Sequence, residues 1–207
     1  MAQALLQRCA ELGVAGVAAP SANRFGRISP TTAAHVADEF GPDLLVLDGG
    51  PCAVGIESTI VDCSRGRPVL LRPGVLTRAE IERALGEPLH ERDDQAPRAS
   101  GTLEAHYAPR ARLQLWAPVA GLPQTAAGNM LAVYSRTCPA LPAGAHWLQM
   151  PSDPLRAARD LFAALRALDT PDIQQIWVEQ PPDTPEWEGV RDRLRRAASG
   201  QIGRAHV

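Results

Sequence analysis

Beyond residue 111 the chain alternates short apolar runs with amphipathic stretches of helical length, and that alternation narrows the fold more than any other feature. Leu113 to Trp116, Met130 to Tyr134, Trp147 to Met150 and Ile173 to Val178 read as strands. Residues 153–168 place Leu155, Leu161, Phe162, Leu165 and Leu168 on one helical stripe. Thr184-Pro185 opens a last helix with Trp187, Val190 and Leu194 on its inner face. Strands interleaved with helices predict an α/β layer around a mostly parallel sheet.

The first part of the chain is patterned less regularly. Residues 2–12 read as a short helix with Leu5, Leu6, Cys9 and Leu12 on one face, and Val14–Ala19 and Leu44–Leu47 read as buried strands. Ser29-Pro30 reads as a helix N-cap with proline in the first turn, opening a helix that closes near Gly41. Ile56–Cys63 and Pro68–Leu71 read as two further strands around a turn at 64–67. Thr77-Arg78-Ala79-Glu80 is a capping box whose helix stops at Gly86. From Glu87 to about Ala111 no period is sustained, and Pro88, Pro97, Gly101 and Pro109 mark a linker that is long for a loop inside one domain. The expected organisation is residues 1–86, a linker over 87–111, and a second unit over 112–200.

Composition excludes several classes. Of 207 residues 45% are hydrophobic, with a net charge of -2, which argues against a broad nucleic-acid footprint. No apolar run has the length of a membrane span, and no basic segment leads into a long apolar core at the start. Cys9, Cys52, Cys63 and Cys138 lack metal or redox spacing and read as reduced thiols of a cytosolic protein. The chain has no lysine, so no side-chain amine is on hand for chemistry.

Four segments have polar residues where a ligand would meet strand ends. The run Ala19-Pro20-Ser21-Ala22-Asn23-Arg24-Phe25-Gly26-Arg27-Ile28-Ser29-Pro30-Thr31-Thr32 gathers hydroxyls, an amide and two arginines before a helix N-terminus, a combination suited to a phosphate. An ordinary capped connection would use the same residues. Gly55-Ile56-Glu57-Ser58-Thr59 brings two adjacent hydroxyls into a strand. Leu71-Arg72-Pro73-Gly74 puts a guanidinium before a rigid turn, where it can fork onto a phosphate or lie on the surface. Ala105-His106-Tyr107-Ala108-Pro109 places aromatic and imidazole groups in the linker, as a lid or a small satellite core. Asp48, Glu57 and Asp62 are the carboxylates available to a magnesium ion, and nothing in their spacing selects one.

In this order, Ala-Pro-Ser-Ala-Asn with Ser-Pro-Thr, then Gly-x-Glu-Ser-Thr, Leu-Arg-Pro-Gly and His-Tyr-Ala-Pro resemble the threonylcarbamoyl-AMP synthases, the YrdC-type family in its two-domain form. Val133-Tyr134-Ser135, Met150-Pro151, the 161–166 run and Asp192-Arg193-Leu194 resemble that family's small second domain. The resemblance implies the C-terminal portion of a YrdC-like twisted open sheet, the linker, and a small Rossmann-like α/β domain. It implies an activity that joins L-threonine, bicarbonate and ATP into threonylcarbamoyl-adenylate and pyrophosphate, with Mg2+ accompanying the nucleotide. It also implies a cytoplasmic setting, a downstream tRNA-modifying complex and contact with RNA, double-stranded RNA included. Carried over by motif, Ser21, Asn23, Ser29, Arg72 and Tyr107 resemble ATP-binding positions. Ala19, Ser58 and Thr59 resemble the threonine wall, and His106 and Tyr107 resemble the lid. No residue stands out as a protein nucleophile, which suits a reaction run on positioning and charge neutralisation.

The match also has gaps. The family's Thr-x-Thr-Tyr-Gly-Leu and Lys-x-Arg segments, which lie upstream of Ala-Pro-Ser-Ala-Asn and contact threonine and triphosphate, are not in this sequence. Residues 1–6 resemble an interior helix of the family, so Met1 reads as an internal methionine of a truncated synthase, weak or inactive alone. A non-catalytic nucleotide-binding or interaction module from the same family is the alternative. A related carbamoyl-transferring fold is a third option, opposed by Ser58-Thr59 and the second domain.

Overall fold

The computed structural model describes residues 1–120, 122 and 130–200. The second half is an α/β layer. β3 (Arg112–Trp116), β4 (Leu131–Ser135), β5 (His146–Gln149) and β6 (Gln175–Glu179) form one parallel sheet in the order β3-β6-β4-β5. Every residue of β4 is buried, as expected of a central parallel strand covered on both faces. α4 (Pro154–Leu168) starts at Asp153, whose carboxylate accepts the Arg156 amide at 2.8 Å. It buries Ala157, Ala158, Leu161, Phe162, Leu165 and Leu168. A 3-10 turn at Pro185–Trp187 leads into α5 (Glu188–Ser199), which packs with α4 in the main core beside Ile176 and Val178. Trp116, Leu131, Val133 and Trp177 form a second apolar cluster.

The first half holds fewer regular elements: α1 (Ala2–Glu11), α2 (Ala33–Phe40), β1 (Ile60–Asp62), β2 (Val69–Arg72) and α3 (Arg78–Leu85). β1 and β2 pair antiparallel, and His90 of the following segment exchanges backbone bonds with Leu70 and Pro68 beside β2. The capping box of α3 is formed as expected, with Gly86 closing the helix in the left-handed region at φ 77°.

Two expectations fail here. Val14–Ala19 and Leu44–Leu47 are not strands; both are exposed, Leu45 by 86%. A strand needs a neighbour for its backbone groups, and among the described residues these runs have none. α1, for the same want of a neighbour, has no buried residue. The helix expected from Ser29-Pro30 starts later, at Thr32, whose hydroxyl accepts the His35 amide. Ser29 instead turns its hydroxyl to Glu57.

Among the described residues no helix is long and apolar enough to cross a membrane.

Candidate functional site

The site is assembled around Glu57, at the entry to β1. Its Oε1 accepts the Ser29 hydroxyl at 2.7 Å, and its Oε2 accepts Arg193 Nε from α5 at 2.9 Å. Burial opposes ionisation of Glu57, but the Arg193 charge and the hydrogen bonds from Ser29 and Arg193 outweigh it and hold the carboxyl below its ordinary value. Ser29 is buried and spends its one proton on an ionised carboxylate, so it offers a ligand lone pairs only.

The neighbouring motif is fixed through its backbone. Arg72, at the end of β2, is 6% exposed and donates from Nε and Nη2 to the Ser58 carbonyl, at 3.1 and 2.9 Å, and from Nη1 to the Ser100 carbonyl at 2.9 Å. Two of its five N–H donors remain. The Ser58 side chain is left exposed, and Thr59 donates its hydroxyl to the Leu76 carbonyl at 3.1 Å.

The 106–107 segment packs against this cluster. Tyr107 is 1% exposed, stacks on Phe162 at 5.2 Å between ring centroids, and lies 5.5 Å beneath the Arg193 guanidinium. It adopts a left-handed φ of 62°, which a bulky side chain rarely does, so the surrounding packing must hold it there. Its hydroxyl is buried with no hydrogen-bond partner among the described residues, and burial pushes its pKa up to about 12. Gly101, at φ 70°, makes room for that hydroxyl: a Cβ there would stand 2.2 Å from it and 2.9 Å from Arg72 Nη1. His106 is half-buried, and burial followed by the Arg196, Arg193 and Arg72 charges lowers its pKa against the pull of Glu57.

The Ser21–Arg27 loop joins from the side. Asn23 donates its amide to the Arg24 and Arg27 carbonyls, and its buried Oδ1 has no partner among the described residues. Gly26 accepts the Ala108 amide at 2.8 Å, and Phe25 lies 6.4 Å from the His106 ring. Ser29, Glu57, Ser58, Arg72, His106 and Tyr107 therefore share one connected neighbourhood. Ser21 and Ala19 are exposed, and among the described residues no side-chain hydrogen bond joins them to it.

Sequence reasoning missed Arg193, which joins Glu57, Pro73 and Asp192. Its signal was Asp192-Arg193 followed by Arg196, a charge set at helical spacing: Asp192 bridges both arginines. It also missed Arg166 on α4, which donates to the Ile28 and Ser29 carbonyls and to Glu39 at 2.8 Å. A separate cleft of about 800 Å3 lies by Arg24, Arg27, His35, Arg166 and Asp169 and includes none of the motif hydroxyls.

The three carboxylates considered for magnesium do not make a holding set. Glu57 is engaged by Ser29 and Arg193, Asp62 by Ser64 and Arg65, and exposed Asp48 by the Gly50 amide. Among the described residues no group of three or more histidine, cysteine or acidic side chains is placed to hold a metal ion.

The family model for the threonylcarbamoyl-AMP synthase C-terminal domain matches residues 76–199, and the family model described as telomere recombination matches residues 1–74. The threonylcarbamoyl-AMP synthase of Bacillus subtilis (strain 168) is 32% identical over 214 residues, covering 90% of this chain and 58% of its own length. That of Pyrococcus abyssi is 31% identical over 205 residues, covering 93% and 60%. The crystal structure of P. abyssi Sua5 complexed with L-threonine superposes with a TM-score of 0.72 at 29% identity, covering 87% of this chain and 57% of that one. The chain thus spans less than two thirds of the length of these relatives. It belongs to the threonylcarbamoyl-AMP synthase family.

Proposed function

We propose that this site serves the synthesis of threonylcarbamoyl-adenylate from L-threonine, bicarbonate and ATP. The threonine nitrogen bonds to the bicarbonate carbon, with water leaving, to give the carbamate. A carbamate oxygen then attacks the α-phosphorus as the bond to the β-phosphate oxygen breaks and pyrophosphate departs. The observation that carries the reading is the single connected cluster of Ser29, Glu57, Arg72 and Tyr107, drawn from four separate motif segments. Family membership and the threonine complex of a similar structure support it.

In this reading Ser21, Asn23, Ser29, Arg72 and Tyr107 face ATP, Ala19, Ser58 and Thr59 face the threonine part, and His106 with Tyr107 excludes water. Arg72 meets phosphate with its two remaining donors while its others hold Ser58. Magnesium travels with the nucleotide, and no step is assigned to it. Residues 1–86 and 112–200 act as catalytic and accessory units joined by the 87–111 linker. The adenylate passes to a cytoplasmic tRNA-modifying complex, and any RNA contact, double-stranded or otherwise, belongs to that handover. The test is pyrophosphate release from ATP, L-threonine and bicarbonate. Release that depends on all three and falls in Ser29→Ala supports the reading; release without threonine overturns it.

A second reading is favoured by one observation: the guanidiniums of Arg72 and Arg193 are largely committed to protein groups. A module that binds nucleotide without turnover would bind ATP in calorimetry and release no pyrophosphate.

A further inference from the structure

A single side chain ties the last helix to the motif segments. Arg193 has no exposed side-chain surface. Its Nε donates to Glu57 Oε2 at 2.9 Å, its Nη1 to the Pro73 carbonyl and to Asp192 Oδ2, each at 2.8 Å, and its Nη2 to the Glu57 carbonyl at 3.3 Å. One planar fork thus reaches both the Glu57 and the Pro73-Gly74 segments, which an ammonium cannot reproduce. Glu57 passes the constraint on through its other oxygen to Ser29. Arg193 sits 136 residues from Glu57 in sequence, and among the described residues its side chain makes no hydrogen bond to Ser29 or Ser58.

We propose that Arg193 is a positioning residue, which through Glu57 fixes the Ser29 hydroxyl and the start of the Ser58–Thr59 segment in the arrangement that receives substrate. The inference rests on the synthase reading of the site and adds that the helix distant in sequence sets its geometry. Removing the guanidinium alone strands a half-buried carboxylate, so R193M is paired with R193M/E57Q, in which the charge leaves with its partner. R193K keeps the charge and loses the fork.

The test uses the full chain and two measurements. Hydrogen–deuterium exchange should rise over residues 27–32 and 56–60 in R193M/E57Q while β3, β4 and β6 keep their protection. Calorimetry with magnesium-ATP should show about tenfold to a hundredfold weaker binding in R193M/E57Q, with R193K in between. A folded double variant with unchanged exchange in both segments overturns the proposal, as does unchanged ATP affinity when the parent chain binds ATP. If the parent chain binds neither ATP nor L-threonine while the two segments still loosen, the positioning role stands and the synthase reading falls.

Discussion

Gly189 on α5 and Gly74 after β2 meet backbone to backbone: a Cβ on Gly189 would stand 2.7 Å from the Gly74 carbonyl oxygen and 2.9 Å from Ile56 Cδ1. Gly74 is pressed in turn against Thr59, where a Cβ would stand 2.4 Å from the backbone nitrogen. Helix, turn and motif strand are stacked with no space for a methyl group. The same contact places Arg193, one helical turn on, within reach of Glu57.

Replacing Gly189 by alanine therefore sets two effects against each other. Alanine favours a helix over glycine by at most about 1 kcal/mol, and by less in the first turn where Gly189 sits. The clash is with main chain on the far side and forces the helix away, at about 1–3 kcal/mol. We expect the clash to win, lowering the Tm by several degrees in thermal unfolding, together with ATP affinity. A Tm equal to or above that of the parent would show that α5 does not press on the turn.

Asp169, just past α4, ties the linker to the second half. Its Oδ2 accepts the Arg110 amide and its Oδ1 the Ala111 amide, both at 2.8 Å, and Arg27 reaches Oδ2 at 3.4 Å. The carboxylate is almost fully buried. Charge-assisted hydrogen bonds of this kind contribute about 1.5–3 kcal/mol. Asp169→Ala should lower unfolding stability by about 2–3 kcal/mol in urea titration. A loss under about 0.5 kcal/mol would show that the linker is held by other contacts.

Elements with local causes were legible in the sequence. The strands of the parallel sheet, α4 and the Thr77–Glu80 capping box follow from local spacing, although Leu155, expected on the buried stripe of α4, is exposed. Elements that depend on a distant neighbour were not. Val14–Ala19 has the composition of a strand and lacks a partner row among the described residues. Ser29 looks like a cap, yet its hydroxyl goes to a carboxylate 28 residues away. The motifs identified Ser29, Ser58, Arg72 and Tyr107 one segment at a time, whereas the wiring through Arg193 runs between segments. An arginine on an amphipathic helix reads as solvent-facing until a buried acid is placed opposite it.

Asp62 gives a pH test. The Ser64 hydroxyl and amide, with Arg65, hold its carboxyl at about 2, against an ordinary 3.8. The folded state thus binds this proton more weakly than the unfolded chain. The resulting stabilisation is complete above the ordinary value and is lost as pH falls from there through the folded value. Urea midpoints of the parent chain should decline more steeply than those of Asp62→Asn in that acid window, and the two should converge at its lower end. Parallel curves would show that the carboxyl is not specifically held.

The Tyr107 hydroxyl separates folding from recognition. It is buried without a partner among the described residues, beside Gly101 and Arg72. An unpaired buried hydroxyl destabilises its own fold, so Tyr107→Phe should leave stability unchanged or raise it by about 1 kcal/mol. Tyr107→Ala strips the ring from Phe162 and Arg193 and should cost about 3–5 kcal/mol. If the hydroxyl is kept for substrate, Tyr107→Phe will weaken ATP binding in calorimetry while unfolding at the parent's denaturant concentration or above it. A phenylalanine variant that binds ATP as the parent does would leave the ring as packing between Phe162 and Arg193 and assign the nucleotide contact elsewhere. One that unfolds more readily than the parent would mean that the hydroxyl bonds within the fold itself.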